Sequence, residues 1–332
     1  MTAALPLIEA EGVSKRFELK GPGLFAGRAG AVHAVEDVSL ALRPGETFAL
    51  VGESGSGKTT LARVLALLYR PDAGAIRFSG EDAAQMTSRD IKRLRRNVQM
   101  IFQDPYGALD PRMTVAAIIS EPLRIHRIGD RRSRAEAVAA LMEAVGLSPA
   151  LADRYPHEFS GGQRQRIGIA RALALNPRLV IADEPVSALD VSVQSQVLNL
   201  MQDLKEARGL TYLLIAHDLA VVDHMADRVA VMYLGRLVES AGRDDLFARP
   251  AHPYTRALLA AAPRPGAGKR RPGAALGGEV PSPLDPPPGC PFHTRCPRAE
   301  DICRRERPRL DAVAESGPGH VAACHFKGTG AS

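Results

Sequence analysis

The stretch Gly52-Glu53-Ser54-Gly55-Ser56-Gly57-Lys58-Thr59 decides the fold of this chain. It has the form G-x-x-x-x-G-K-[ST], in which glycines let backbone N–H groups converge on a phosphate that a Cβ would obstruct. The Lys58 ammonium then faces the β- and γ-phosphates, and the Thr59 hydroxyl can ligate Mg²⁺. The stretch predicts a phosphate-binding loop, called the P-loop below, with contacts from Gly52, Ser54, Gly55, Ser56, Gly57, Lys58, Thr59 and Thr60.

The surroundings of the P-loop indicate an α/β core. A buried strand is predicted at Thr47–Val51 and a helix at Leu61–Leu68, whose N-terminus adds a positive dipole end beneath the phosphates. Strands that alternate with helices farther along the chain are typical of a parallel sheet. These later elements are strands at Leu179–Ala182, Thr211–Ala216 and Arg228–Tyr233, an amphipathic helix at Val193–Arg208, and helices at Ile118–Arg127 and Arg134–Val145.

Composition limits the class of protein. The chain has 332 residues, of which 45% are hydrophobic, and a formal net charge of +6. Its basic clusters at Arg93–Arg96, Arg131–Arg134 and Lys269–Arg271 lack an aromatic platform, so we interpret them as solvated faces and expect no nucleic-acid partner. Contacts with a partner or with the membrane surface are the alternative for these clusters. Neither a signal peptide nor an apolar run of roughly 20 residues is visible, so we expect a cytoplasmic protein that meets the membrane through partners.

Two carboxylates follow the predicted strand Leu179–Ala182. Asp183 stands at its C-terminal end, where α/β sheets place ligands, and can hold Mg²⁺ together with Thr59. Glu184 comes next and is positioned to polarise an attacking water as a general base. The alternative, a strand that ends in two solvated acids, is weaker beside a P-loop.

The segment Phe159-Ser160-Gly161-Gly162-Gln163 predicts the start of a helix. Ser160 is a candidate N-cap, and Gln163 stands at the capping-box position. Glycines at the next two positions weaken a helix, so something should approach this backbone closely. An anion at the helix N-terminus would fit.

Six motifs in one order resemble those of ABC-transporter ATPases. They are the P-loop, Gln103 as the Q-loop, Phe159–Gln163 as the signature, Asp183-Glu184 as Walker B, Ser187-Ala188-Leu189-Asp190 as the D-loop and His217 as the switch histidine. Phe102–Tyr106, Met232–Arg236, His252–Thr255 and the tail from Gly278 to Cys290 are similar to the second ATP-binding subunit of dipeptide and oligopeptide importers. This resemblance implies a P-loop NTPase core with an antiparallel β subdomain and an inserted helical subdomain at about 104–174.

The resemblance also implies an ATPase that works in a head-to-tail pair. Each nucleotide would lie between the P-loop of one chain and the signature of the other, so that Ser160, Gly161, Gly162 and Gln163 serve the partner's γ-phosphate, with Asp190 in the adjoining D-loop. Phe17 would stack on adenine, Gln103 would sense Mg²⁺ and the γ-phosphate, and His217 would contact the γ-phosphate.

The implied partners are a second ATPase subunit or another copy of this chain, two transmembrane permease subunits, and an extracytoplasmic solute-binding protein. The chain would lie at the cytoplasmic face of the inner membrane, with Tyr106 and the residues around 112–119 toward the permeases. The solute stays open among dipeptides, longer peptides, glutathione and nickel complexes. Two other classes, an ABC ATPase acting on nucleic acid and a regulatory module without turnover, are disfavoured by the lack of a second cassette and by Glu184.

A nucleotide-binding domain is predicted at 1–262 and a C-terminal extension at 263–332. The extension begins with a Pro- and Gly-rich segment, Pro263 to Gly289, which predicts an extended linker. The extension holds all four cysteines, Cys290, Cys296, Cys303 and Cys324, with gaps of five, six and twenty residues. Reduced thiols are expected in the cytoplasm, and these gaps are wider than those of most structural zinc sites. Four cysteines suit a [4Fe–4S] cluster, which the resemblance also implies, while zinc and metal-free thiols remain alternatives.

Overall fold

The computed structural model describes residues 5–20, 28–104, 106–261, 277–314 and 316–327. In chain order its strands are β1 (Ile8–Lys20), β2 (Arg28–Leu42), β3 (Thr47–Val51), β4 (Ala73–Phe78), β5 (Glu81–Asp82), β6 (Val98–Ile101), β7 (Leu179–Asp183), β8 (Thr211–Ala216), β9 (Arg228–Tyr233), β10 (Arg236–Gly242), β11 (Asp311–Ala312) and β12 (Val321–Ala322). Its α-helices are α1 (Lys58–Leu65), α2 (Ser88–Asn97), α3 (Val115–Ile125), α4 (Arg131–Ala144), α5 (Gly161–Leu173), α6 (Val191–Arg208), α7 (Leu219–Met225), α8 (Arg243–Ala248), α9 (Pro253–Ala261) and α10 (Asp301–Arg305).

The chain divides into two compact units. The signature unit comprises Met1–Leu7, Leu42–Glu46 and Gln85–Ile215, and the P-loop unit comprises Ile8–Ala41, Thr47–Ala84 and Ala216–Ser332. The boundary that we predict at residue 262, and most of the predicted linker, lie outside the described residues and stay predictions.

The signature unit is built on three parallel strands. β7 lies between β6 and β8, with Val98 opposite Leu179 and Leu179 opposite Thr211. Every residue of β7 and β8 is buried, which explains their continuous apolar runs. The helices α3 to α6 belong to this unit, and α3 packs on both α4 and α5. The predicted inserted helices are therefore present.

Helix α2 is not among the helices expected from apolar periodicity. It carries the basic cluster Arg93–Arg96, and Leu94 is its buried residue. A capping box between Thr87 and Asp90 defines its start, with Asp90 N donating to Thr87 Oγ1 over 3.3 Å. The capping box could have revealed this helix from the sequence. Apolar periodicity could not, because a single residue of the helix is buried.

The P-loop unit contains an antiparallel sheet and a second, mixed sheet. The antiparallel sheet has the strand order β2-β1-β4-β5. In the other, β3 is parallel to β9, β9 is antiparallel to β10, and the extension strand β12 continues the sheet on β10 with Ser240 opposite Val321. The predicted fold class, an α/β core with an antiparallel subdomain and a cysteine-containing extension, is confirmed. No described helix is both long and apolar enough to cross a membrane.

Candidate nucleotide site

The P-loop connects β3 to α1 through glycines with unusual backbone angles. Gly55 has a φ of 78° and Gly57 a φ of 102°. A Cβ on Gly57 would collide with the carbonyl oxygen of Ala34, and a Cβ on Gly52 with that of Met232. Space for a phosphate is thus not the sole reason for these glycines, because the chain's own backbone already excludes a side chain at two of them.

Lys58 is the first residue of α1, and its ammonium points back into the P-loop. Lys58 Nζ donates to the carbonyl oxygens of Gly52 at 2.8 Å and Glu53 at 2.9 Å, and lies 3.4 Å from Ser56 Oγ. The lysine is 5% exposed. Its cation is therefore held inside the ring of the loop, at the N-terminus of a helix, where an anion is favoured. Ser54 and Gly55 form the exposed rim, and Thr59 and Thr60 stand partly exposed in the first helical turn.

In the signature unit, Asp183 is buried, whereas Glu184 is partly exposed and has a left-handed backbone conformation. Asp183 ends β7 and is 3% exposed. Glu184 has a φ of 46°, and its N–H donates to the carbonyl oxygen of Ile215 at 3.0 Å. Gln103 Nε2 donates to Glu184 Oε2 at 2.9 Å. The structure thus brings together a glutamine and a carboxylate that belong to two separate sequence motifs, the Q-loop and Walker B.

The signature segment begins α5 as predicted. Gln163 N donates to Ser160 Oγ at 3.3 Å, and Ser160 N donates to Gln163 Oε1 at 3.0 Å, which completes a capping box. A Cβ on Gly162 would collide with Cγ1 of Val193 on α6, and one on Gly161 would lie 3.3 Å from Leu189 Cδ2. The close approach expected at this backbone is therefore made at least in part by the chain's own residues.

The D-loop and the histidine lie on turns. Asp190 is exposed at the start of α6, and Gln194 Nε2 on the same helix donates to the carbonyl oxygens of Val186 at 3.1 Å and Leu189 at 2.9 Å. In the P-loop unit, His217 directly follows β8 and is exposed.

Phe17 lies half-buried near the end of β1. Its ring forms a T-shaped pair with that of Tyr69, with centroids 5.5 Å apart, and Lys15 Nζ lies 5.7 Å from the Phe17 centroid. The side chain is partly exposed, and an aromatic ring of this kind can stack on adenine.

Comparison with known proteins decides the family. Residues 35–187 match the family described as ABC transporter, and residues 238–303 match the family described as oligopeptide/dipeptide transporter, C-terminal region. The oligopeptide transport ATP-binding protein AppF of Bacillus subtilis is 51% identical over 98% of this chain and 99% of its own length. This chain belongs to the ATP-binding subunits of oligopeptide/dipeptide ABC transporters.

Two further similarities support the family. A probable peptide ABC transporter ATP-binding protein, y4tS, of Sinorhizobium fredii is 51% identical over 98% of this chain and 91% of its own length. A dimeric structure of the ATP-binding cassette MJ0796 in a post-hydrolysis state, bound to ADP and Pi, superposes with a TM-score of 0.62 and 26% identity. It covers 71% of this chain and 98% of that cassette. The predicted ABC ATPase fold and ATPase activity are thereby confirmed.

The extension of this ABC ATPase gathers its four cysteines around one cavity. All four line a space of about 20 Å³, which is roughly enough for one water molecule. None forms a disulfide, and Cys290 and Cys303 are buried. Burial raises the pKa of the Cys290 thiol to about 11 and also raises the pKa of Cys296 and Cys324. Burial therefore favours the protonated form of the Cys290, Cys296 and Cys324 thiols at neutral pH.

The donor set of the cavity fits a four-cysteine metal centre in number and chemistry. Within the described ranges, however, no group of three or more Cys, His, Asp or Glu side chains is arranged to hold a single metal ion. His293 Nδ1 is 2.8 Å from the carbonyl oxygen of Cys290, and His325 Nε2 is 3.1 Å from that of Glu306, so each has one ring nitrogen in a backbone contact. The four thiols line the same cavity, but they are not arranged around a single metal position.

A contact that no sequence pattern indicates ties the extension to the P-loop. Arg295 donates from Nη1 to Glu53 Oε2 at 2.7 Å and from Nη2 to Glu53 Oε1 at 3.0 Å, across 242 sequence positions. Tyr254 Oη accepts from Glu53 N at 2.8 Å. Neither Arg295 nor Tyr254 belongs to a motif whose chemistry indicates phosphate binding, so only the fold reveals them.

Proposed function

We propose that this chain hydrolyses ATP to drive the import of dipeptides or oligopeptides through an ABC transporter. The observation that carries the proposal is the near full-length similarity to peptide and oligopeptide transport subunits, together with the buried Lys58 and the paired Gln103 and Glu184. Glutathione and nickel complexes are the alternative solutes. The test is uptake of a peptide panel by the importer assembled with its solute-binding protein, compared with uptake of those alternatives.

At its own P-loop, the chain would bind the phosphates of ATP through Lys58, the backbone N–H groups of the loop and the first turn of α1. The hydroxyl of Thr59, the carboxylate of Asp183 and the amide oxygen of Gln103 are oxygen donors of the kind that Mg²⁺ prefers, and they would hold it. When bound, Mg²⁺ neutralises charge on the phosphates.

Glu184 would accept a proton from the attacking water as general base, and Gln103 would orient the Glu184 carboxylate through the 2.9 Å hydrogen bond. His217 would contact the γ-phosphate, and Phe17 would stack on the adenine.

We further propose a second ATPase subunit, or a second copy of this chain, in a head-to-tail pair. Ser160, Gly161, Gly162 and Gln163 would then donate from the N-terminus of α5 to the γ-phosphate bound by the partner, with Asp190 beside it. The dimeric state of MJ0796 supports such a pair, because that cassette shares this fold.

The remaining partners would be two transmembrane permeases and an extracytoplasmic solute-binding protein, with this chain peripheral at the cytoplasmic face of the inner membrane. The side chain of Tyr106 supports the proposed permease contact, because it is 65% exposed and is held by Arg164, whose guanidinium lies 4.0 Å from the ring centroid.

The four cysteines would hold a [4Fe–4S] cluster of structural role, with zinc as the alternative. Four thiols around one cavity and the absence of disulfides among them support this proposal. Binding requires thiolates, so a metal centre held by these cysteines would reverse the protonation that burial favours. A cluster would also add order to an extension that is poor in apolar residues.

A further inference from the structure

Glu53, the second residue of the P-loop, is held through each of its polar groups. Its N–H donates to Tyr254 Oη at 2.8 Å. Its carbonyl oxygen accepts from Lys58 Nζ at 2.9 Å and from Ser56 N at 3.2 Å. Its carboxylate accepts both hydrogen bonds of the Arg295 fork. One residue therefore connects the phosphate-binding lysine to helix α9 and to the cysteine-containing extension.

Arg295 is built into the protein and is not a mobile surface arginine. Its side chain is 4% exposed, whereas that of Glu53 is 26% exposed. Arg295 Nε donates to the carbonyl oxygen of Gly277 at 3.2 Å, and Nη1 lies 3.5 Å from Tyr233 Oη. A guanidinium removed from water in this way is stable only while it is paired, and the planar fork fits a carboxylate in one orientation. The Arg295 guanidinium thus holds the Glu53 carboxylate in one orientation.

An aromatic cluster supports both contacts. The rings of Tyr233 and Tyr254 have centroids 4.7 Å apart, and Phe292 lies 5.3 Å from the first and 5.4 Å from the second. Phe292 and Arg295 belong to the same turn of the extension, where Arg295 N donates to the carbonyl oxygen of Phe292 at 3.0 Å. Packing of these large rings leaves little freedom for either group that holds Glu53.

We propose that Arg295 and Tyr254 are positioning residues for ATP, which act through Glu53 to hold the P-loop and Lys58 in the conformation that binds phosphate. The extension then contributes to ATP binding, because it supplies Arg295. The Glu53 carbonyl oxygen accepts a hydrogen bond from the Lys58 ammonium, so a movement of Glu53 displaces that acceptor. Small displacements of a phosphate-binding group lower the reaction rate strongly. The inference rests on the ATPase assignment and adds two residues to it.

The test is a double-mutant cycle on the full-length chain in its assembled transporter, with Glu53→Gln, Arg295→Gln and the two together. Each single variant should raise the Kd for MgATP about tenfold or more and lower kcat/KM for ATP accordingly. The double variant should lose less than the product of the two single losses, because the single changes remove the same contact. Arg295→Lys should recover part of the affinity, since it keeps the charge without the fork.

Tyr254→Phe serves as a second, milder variant. It removes only the hydroxyl that accepts from Glu53 N and should raise the Kd for MgATP several-fold without altering the fold. Arg305→Gln is the matched control in the same extension, because Arg305 pairs with Asp301 at 3.5 Å on the surface, with both side chains at least three-quarters exposed. This control should leave the Kd and the kcat unchanged.

The positioning role and the ATPase assignment are tested by different outcomes. If the parental protein hydrolyses ATP, and Arg295→Gln and Tyr254→Phe both leave Kd and kcat/KM at parental values, the positioning role is wrong even if thermal stability falls. Losses that simply multiply in the double variant would also overturn it. If Arg295→Gln fails to fold, the Kd of Tyr254→Phe decides. A parental protein that hydrolyses no ATP would instead overturn the ATPase assignment itself.

Discussion

At the scale of single residues, Glu184 combines a left-handed backbone with a side-chain contact to Gln103. Its φ of 46° is costly for a residue other than glycine, by roughly 1–3 kcal/mol. Hydrogen bonds at 3.0 Å from its own N–H to Ile215 and at 3.1 Å from Ser187 Oγ to its carbonyl oxygen hold that conformation. The backbone is therefore shaped to present this carboxylate just beyond the end of β7, beside the buried Asp183.

The buried His252 should make the stability of the folded chain depend on pH. It is fully buried, and burial lowers its pKa to about 4, while its Nδ1 accepts from Tyr254 N at 3.1 Å. The unfolded chain binds a proton at this histidine below about pH 6.5, whereas the folded chain does not until about pH 4, so stability should fall as the pH falls through that window.

The asparagine variant isolates this contribution. His252→Asn keeps an acceptor for Tyr254 N but cannot titrate, and it should remove up to ~3 kcal/mol of the stability change between pH 7 and pH 4. Urea unfolding at a series of pH values measures it. Parallel pH profiles for the parental chain and the variant would show that another group is responsible.

At the scale of elements, the start of α5 depends on its packing against α6. A Cβ at Gly162 would collide with Val193 Cγ1, so Gly162→Ala should destabilise the chain by about 1–3 kcal/mol despite the better helix propensity of alanine. In a Val193→Ala background the same change should become neutral or stabilising. Thermal unfolding of the four proteins measures this, and an equal penalty in both backgrounds would contradict the packing account.

The same helix supports a prediction about the ATPase pair. If the N-terminus of α5 serves the partner's nucleotide, Ser160→Arg should spare nucleotide trapping at this chain's P-loop and cripple it at the partner's P-loop. The arginine would place a bulky side chain where backbone N–H groups must approach a phosphate. Trapping scored separately at the two P-loops measures the effect. Damage confined to this chain's own P-loop would contradict the head-to-tail pair.

At the scale of the whole molecule, the sequence was informative where chemistry is local. The P-loop, Walker B and signature are contiguous patterns, and each lies on the element that its flanking residues predicted. Contacts between distant segments were hidden, because no pattern links Glu53 to Arg295 or Gly162 to Val193. Helix α2 was missed for another reason, since a helix with one buried residue has no apolar period to read.

If the four cysteines of the extension hold a [4Fe–4S] cluster, the purified protein should contain iron and sulfide. Anaerobically purified protein should be brown, with iron and acid-labile sulfide at about four per chain. Cys303→Ser should bleach it, because Cys303 is one of the four thiols around the cavity. Cys303 is buried, so a conservative serine limits the change in packing. A colourless anaerobic preparation that contains stoichiometric zinc would exclude the cluster.

Peptide-stimulated ATP hydrolysis by the reconstituted importer measures whether this chain hydrolyses ATP with Glu184 to drive peptide import. Addition of a peptide-loaded binding protein should stimulate hydrolysis by the parental complex. Glu184→Gln should lower turnover at this chain's site by about 10²–10⁴-fold while ATP still binds, because the base is lost and the P-loop is intact. Lys58→Ala should instead weaken ATP binding itself. Parental hydrolysis at this site in Glu184→Gln, or a parental complex that no peptide stimulates, would contradict the account.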